Sequence, residues 1–197
     1  MTYIDTIPED QASGAVAEQY QADRDAMGYL PNYTAAFSHR PELYAAWKQL
    51  GGALKANMDL RRYELATLAA ARRLRSSYCS LAHGTVLLNE YLDQDTLRAV
   101  VADHRDAGLA AVDVAVMDLA DKVAGDATSV TEADIDRLRS LGLSDPEIFD
   151  VVAAAALRCF FSKTLDALGV EPDAEYAALD PELRDALTVG RPIAARQ

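Results

Sequence analysis

Residues 64–90 read ELATLAAARRLRSSYCSLAHGTVLLNE, and this stretch decides both the fold class and where any chemistry sits. From Leu60 to Arg75 the chain is rich in Ala, Leu and Arg with no Gly or Pro, so helix propensity and an apolar stripe agree on one helix. Ser76 or Ser77 can then cap a second helix over about 77–90. On it Cys79 and His83 stand four residues apart, which places thiol and imidazole on one face, near enough for a hydrogen bond or a one-water relay. Cys79 falls in the first turn, where unpaired amides and the helix dipole favour a thiolate. Glu64 lies on the preceding helix, and two helices packed back to back would bring its carboxylate to His83 or Cys79.

The same pattern extends in both directions. Leu43, Trp47, Leu50 and Leu54 share one face of a helix begun by Pro41, and Val112, Val116, Leu119 and Val123 share another. Further helices are expected over about 12–27, 94–104, 131–140 and 145–168, and no stretch alternates as a strand. Gly28 to Asn32 separates the first helix from a short second one. Ser129 with Glu132, and Ser144 with Glu147, have capping-box spacing. Gly169 ends the long C-terminal helix, Pro172 blocks its resumption, and the residues around Gly190 and Pro192 read as a loose tail. The small residues Ala153 to Ala156, flanked by Val and Phe, fit either a helix central to the bundle or one at a subunit interface.

With 197 residues, half of them hydrophobic, the chain can bury a sizeable core, and no linker divides it, so one domain over 1–197 is expected. Its apolar stretches, such as Val151 to Leu157, fall far short of the roughly 20 residues of a membrane span, and the N-terminus MTYIDTIPEDQ is unlike a secretory signal. A cytoplasmic protein with no membrane partner follows. The formal net charge of −12 repels phosphate backbones, which argues against nucleic acid. Arg72, Arg73 and Arg75 form the densest basic run, readable as a solvated face, an interface or an anion-attracting rim. The two cysteines, Cys79 and Cys159, are too few for a disulfide framework and fit a reducing compartment. His39, His83 and His104 are dispersed, so no metal site is expected, and no Gly-rich phosphate cradle points to a cofactor.

Spacing alone leaves the trio open to a structural account. A single cysteine often fills a helical core, a lone histidine is often structural, and an isolated glutamate usually lies at the surface. Glu64, Ser76, Tyr78, Cys79 and His83 nevertheless resemble the signature of the alkylhydroperoxidase D-like (carboxymuconolactone decarboxylase) family: a Glu, then C-x-x-C, then His four residues after the second cysteine. Carried over position by position, Glu64 matches the proton-relay Glu, Cys79 the second cysteine and His83 the histidine. Tyr78 is the aromatic often found before that cysteine. LPNYTAAFSHRPELYAAWKQL (30–50) and DALGVEPD (166–173) resemble the flanks of peroxidase-related members, so the likeness spans about 28–173.

The resemblance implies an all-α helical bundle that assembles into homo-oligomers, and a thiol-dependent peroxidase-like oxidoreductase. In it Cys79 would attack a small-molecule peroxide, Glu64 and His83 would move protons, and an external thiol would restore the cysteine. Ser76 is a departure, because it stands where the family's first cysteine would be, so the usual C-x-x-C disulfide cannot form and a serine cannot resolve a sulfenic acid. Cys159, among Leu157, Phe160 and Phe161, reads as an inert core thiol more than as a resolving one. The alternative is a non-redox member of the family, either a small-molecule-binding oligomer or a decarboxylase.

Overall fold

The computed structural model describes residues 2–195. Among them are ten α-helices and no strand: α1 (Gly14–Met27), α2 (Asn32–Ala36), α3 (Pro41–Lys55), α4 (Leu60–Arg73), α5 (Ser77–Glu90), α6 (Gln94–Asp103), α7 (Ala111–Asp126), α8 (Glu132–Ser140), α9 (Asp145–Ala167) and α10 (Pro181–Leu187). Local chemistry sets most of the starts. Pro41 occupies the first turn of α3, the Asp59 carboxylate accepts from the Arg62 amide at 2.8 Å to start α4, and Asp93 accepts from the Thr96 amide to start α6. The Ser144/Glu147 capping box opens α9 as expected. For α8 the box is formed by Thr131 and Asp134, two residues beyond the Ser129/Glu132 pair that the spacing favours, because Ser129 is taken into a short 3-10 turn ahead of the helix.

The core is built around α4, which packs on α5, α7 and α9, while α7 also packs on α9. Every residue from Tyr63 to Ala71 is buried. The alanines on this helix let three neighbours approach it closely, and Leu65 and Leu68, fully buried, each contribute roughly 1.5–3 kcal/mol of apolar transfer. This main cluster is joined by a second, smaller one of Phe37, Tyr44, Tyr78, Cys79, Phe161 and neighbours, where α2, α3, α5 and α9 meet. Cys79 is therefore inside the bundle.

The α4–α5 corner that positions Cys79 is tight. Ser76 N–H donates to the Ala71 carbonyl at 2.9 Å and Arg75 N–H to the Arg72 carbonyl at 3.0 Å, a pattern that needs a left-handed residue after the helix. Arg75 takes that conformation, at φ 57°. The expected loose tail is instead docked on this corner. Gly190 N–H donates to Ser77 Oγ at 2.7 Å, and a Cβ at Gly190 would fall 2.0 Å from the Arg75 carbonyl oxygen, so only glycine fits. Just ahead of it, α10 buries Leu183 and Leu187 completely, the latter against Gly84 of α5. Seven residues are too few for periodicity to reveal this helix. The Arg72–Arg75 run serves the same docking, since Arg72 donates to the carbonyls of Ala186 and Val101.

Helix α9 is two-sided. Val151, Ala154, Ala155, Arg158 and Phe161 face the bundle, whereas Phe149, Ala156 and Phe160 are exposed. Beside them the expected α3 stripe of Leu43, Trp47, Leu50 and Leu54 does share one face, but that face is not sealed: Leu50 is 58% and Phe149 is 69% exposed. Together α3 and α9 border an apolar groove of about 750 Å³. Among the described residues no helix is long and apolar enough to cross a membrane.

Candidate functional site

Glu64 of α4 and His83 of α5 meet in the interior. His83 Nδ1 lies 2.5 Å from Glu64 Oε2, with the glutamate 6% and the histidine 9% exposed. Burial raises the Glu64 carboxyl, but the charge and hydrogen bond of His83, with Lys55 and Arg158 beyond, hold it below the ordinary carboxylate range. For His83, burial and then the positive charge of Arg158 push the imidazole below its ordinary value, against the pull of Glu64. The two directions are mutually consistent: an ionised carboxylate accepts from the Nδ1–H of a neutral imidazole. Nε2 is then the nitrogen that can take up a proton.

Cys79 is 1% exposed, one turn before His83 on α5. The sequence places these two side chains on one face, but among the described residues no hydrogen bond joins them. Instead Cys79 Sγ accepts from Nη1 of Arg158 at 3.4 Å. Arg158 comes from α9, is 3% exposed, and reaches Tyr63 Oη with Nη2 at 3.5 Å. Its guanidinium also stands 5.5 Å from the Phe161 ring and 6.0 Å from that of Trp47. Sequence reading missed Arg158 altogether. It occurs in an alanine-rich helix 79 residues after Cys79, and an arginine there reads as solvated.

Ser76 stands at the N-cap position of α5 without a side-chain cap hydrogen bond. It lies beside Asp166, whose carboxyl burial raises and the Ser76 hydroxyl partly lowers. Nothing in this geometry directs Ser76 to the Cys79 sulfur. Tyr78 turns away from Cys79 and donates to Asp173 Oδ2 at 2.5 Å. Asp173 also accepts from the Asn32 amide at 2.8 Å and from Tyr29 Oη at 3.1 Å. Burial raises the Asp173 carboxyl, and these donors oppose the rise. Tyr78 thus fixes the start of α5 to the segment after α9 and to α2. Cys159 is half-buried and packs on the main cluster, whereas Cys79 belongs to the smaller one, and both cysteines are free. Among the described residues no group of three or more His, Cys, Asp or Glu could hold a metal ion.

The carboxymuconolactone decarboxylase family model matches residues 41–122, which takes in Glu64, Cys79 and His83 but is narrower than the 28–173 likeness read from the sequence and stops before α9. No curated protein matches the chain. Among solved structures, an uncharacterised peroxidase-related protein from Ralstonia eutropha JMP134, described as an alkylhydroperoxidase AhpD core, superposes with a TM-score of 0.80. It is 22% identical, over 89% of this chain and 94% of that one. A peroxidase-related protein from Silicibacter sp. TM1040 gives 0.76 at 22% identity, over 89% and 91% of the two chains. A cysteine-to-alanine variant of the debrominase Bmp8, in complex with 2,3,4-tribromopyrrole, gives 0.75 at 13% identity, over 92% and 96%. At these identities the structural likeness establishes the fold. Residues 41–122 thus match the carboxymuconolactone decarboxylase family model, and the chain has an all-α alkylhydroperoxidase D-like fold.

Proposed function

We propose that the chain is a one-cysteine thiol oxidoreductase that reduces a small peroxide at Cys79 and is recycled by an external thiol. The observation that carries this reading is the buried Glu64–His83 hydrogen bond one turn from Cys79, since a neutral imidazole fixed by a carboxylate is a proton acceptor set beside a nucleophile. In the cycle His83 Nε2 takes the Cys79 proton and Sγ attacks the terminal peroxide oxygen. The O–O bond breaks, and the departing alkoxide takes the proton from His83. The sum is thiol plus hydroperoxide giving sulfenic acid plus alcohol. One external thiol then forms a mixed disulfide with loss of water, and a second releases Cys79 as thiol and leaves as a disulfide.

The external reductant follows from Ser76, which cannot resolve the sulfenic acid, and from the packing of Cys159 on a different cluster. Wild-type protein supplied with an organic hydroperoxide and a small dithiol is expected to consume both in equal amounts. Absence of turnover, with the intact mass unchanged after stoichiometric peroxide, would instead favour a non-redox role such as ligand binding or decarboxylation. A halogenated aromatic is the second acceptor to assay, because a debrominase shares the fold.

The partner supported by the surface is a second copy of the chain. Leu43, Leu50, Phe149 and Phe160 are large apolar side chains exposed on the α3–α9 face, an area that association would cover. Light scattering is expected to give a multiple of the single-chain mass, reduced to one chain by Leu50→Glu combined with Phe149→Glu. A wild-type monomer overturns this assembly.

A further inference from the structure

Arg158 raises a question that the thiol cycle does not answer. A guanidinium stays charged in a protein, and enclosing it without a partner costs several kcal/mol. Arg158 is 3% exposed, yet among the described residues it forms no ion pair with a carboxylate. The nearby carboxylate, Glu64, is committed to His83. Arg158 has two polar contacts, Cys79 Sγ and Tyr63 Oη, and a buried Nε that no protein atom accepts from. Of the two polar partners, the sulfur is the one placed to carry a compensating charge. Burial disfavours the charged guanidinium, but Cys79 and then Tyr63 more than offset it, holding Arg158 above its ordinary value.

We infer that Arg158 is a catalytic residue, the fixed counter-ion of the Cys79 thiolate. The inference rests on Cys79 being the nucleophile of the proposed cycle and adds the group that stabilises its anion. When the Cys79 proton passes to His83, the negative charge appears on an atom already 3.4 Å from Nη1, so no solvent has to reorganise around it. After attack the O–O bond is broken and one oxygen is bonded to Sγ. The guanidinium stays beside the sulfur through that step, with Nη1 the donor in contact with it. Tyr63 and the Trp47 and Phe161 rings keep that plane in place. In a chain with serine at position 76, this cation occupies the role of activating neighbour to Cys79.

The test uses the full chain in a Cys159→Ser background, so that only Cys79 reacts. Alkylation by anionic iodoacetate and by neutral iodoacetamide is compared in the parent, Arg158→Gln and Arg158→Lys proteins, with thermal melting confirming that each is folded. The iodoacetate-to-iodoacetamide rate ratio is expected to fall about tenfold in Arg158→Gln, because a nearby cation attracts only the anionic reagent, and to be largely restored in Arg158→Lys. A structural role would slow both reagents alike and leave the ratio unmoved, which overturns the inference. A parent thiol that reacts with neither reagent before the protein unfolds also overturns it. Peroxide oxidation of the same proteins separates the two readings. A ratio that falls while peroxide leaves Cys79 unmodified keeps Arg158 as counter-ion and discards the peroxidase. An unchanged ratio with normal peroxide consumption does the reverse.

Discussion

Cys79→Ser is expected to abolish peroxide consumption, lowering thiol-coupled turnover by about a thousandfold or more, because a serine hydroxyl at the same place is neither ionised nor able to accept an oxygen. The exchange is nearly isosteric, and Cys79 is 1% exposed in a packed aromatic cluster, so the variant should still fold. Intact mass after one equivalent of peroxide is the direct readout: wild type gains one oxygen and Cys79→Ser gains none. The companion variant is Ser76→Cys, which places a second thiol at the N-cap position, three residues before Cys79. A helix N-terminus with this spacing is where two cysteines pair readily. The expected product in that variant is an intramolecular disulfide, seen as loss of two hydrogens and needing no external thiol to form. If Cys79→Ser still turns over peroxide, the nucleophile is elsewhere. If Ser76→Cys stops at the sulfenic acid, the side chain at position 76 stays beside Asp166, away from Cys79.

What the sequence made legible follows the range of the interactions involved. Helices α4 and α5 were readable because propensity, the absence of Gly and Pro, and i, i+4 spacing are local, and the Glu64–His83 contact follows from two consecutive helices packing back to back. Among the described residues no direct hydrogen bond joins Cys79 to His83. The atom that engages the sulfur comes from α9, and nothing local to Ala153–Phe161 says that this arginine points inward. Asp173, 95 residues after Tyr78, escaped for the same reason. The α10 helix and the docked Gly190 depend on a steric fit to the α4–α5 corner, which leaves no periodic trace. Short-range signals placed Glu64, Cys79 and His83 on two consecutive helices, and the chain's return through α9 and α10 added Arg158 and the docked segment around Gly190.

Glu64→Ala is expected to cost about 2–4 kcal/mol of unfolding free energy at neutral pH, since it removes a buried carboxylate and leaves the Nδ1–H of His83 without its acceptor. The pH dependence separates this pair from the rest of the fold. The folded His83 imidazole sits below its ordinary value of about 6.5, so as pH falls through that value the unfolded chain takes a proton that the folded chain refuses. The stability His83 contributes is therefore complete above about pH 6.5 and is lost as pH falls toward its folded value, with a slope of up to about 1.4 kcal/mol per pH unit. Glu64 is shifted downward too, and its contribution, complete above about pH 4.3, is lost only as pH falls further through its own folded value. Urea unfolding of wild type and His83→Gln between neutral pH and pH 5 should thus give curves that converge as pH falls, because the variant lacks the first loss and keeps the second. Curves that diverge as pH falls would mean that the imidazole is protonated in the folded state, and His83 could then not receive the Cys79 proton. The same substitution should also remove the acid limb of peroxide reaction while leaving the iodoacetate preference set by Arg158 intact, which distinguishes a group that moves the proton from the one that holds the charge.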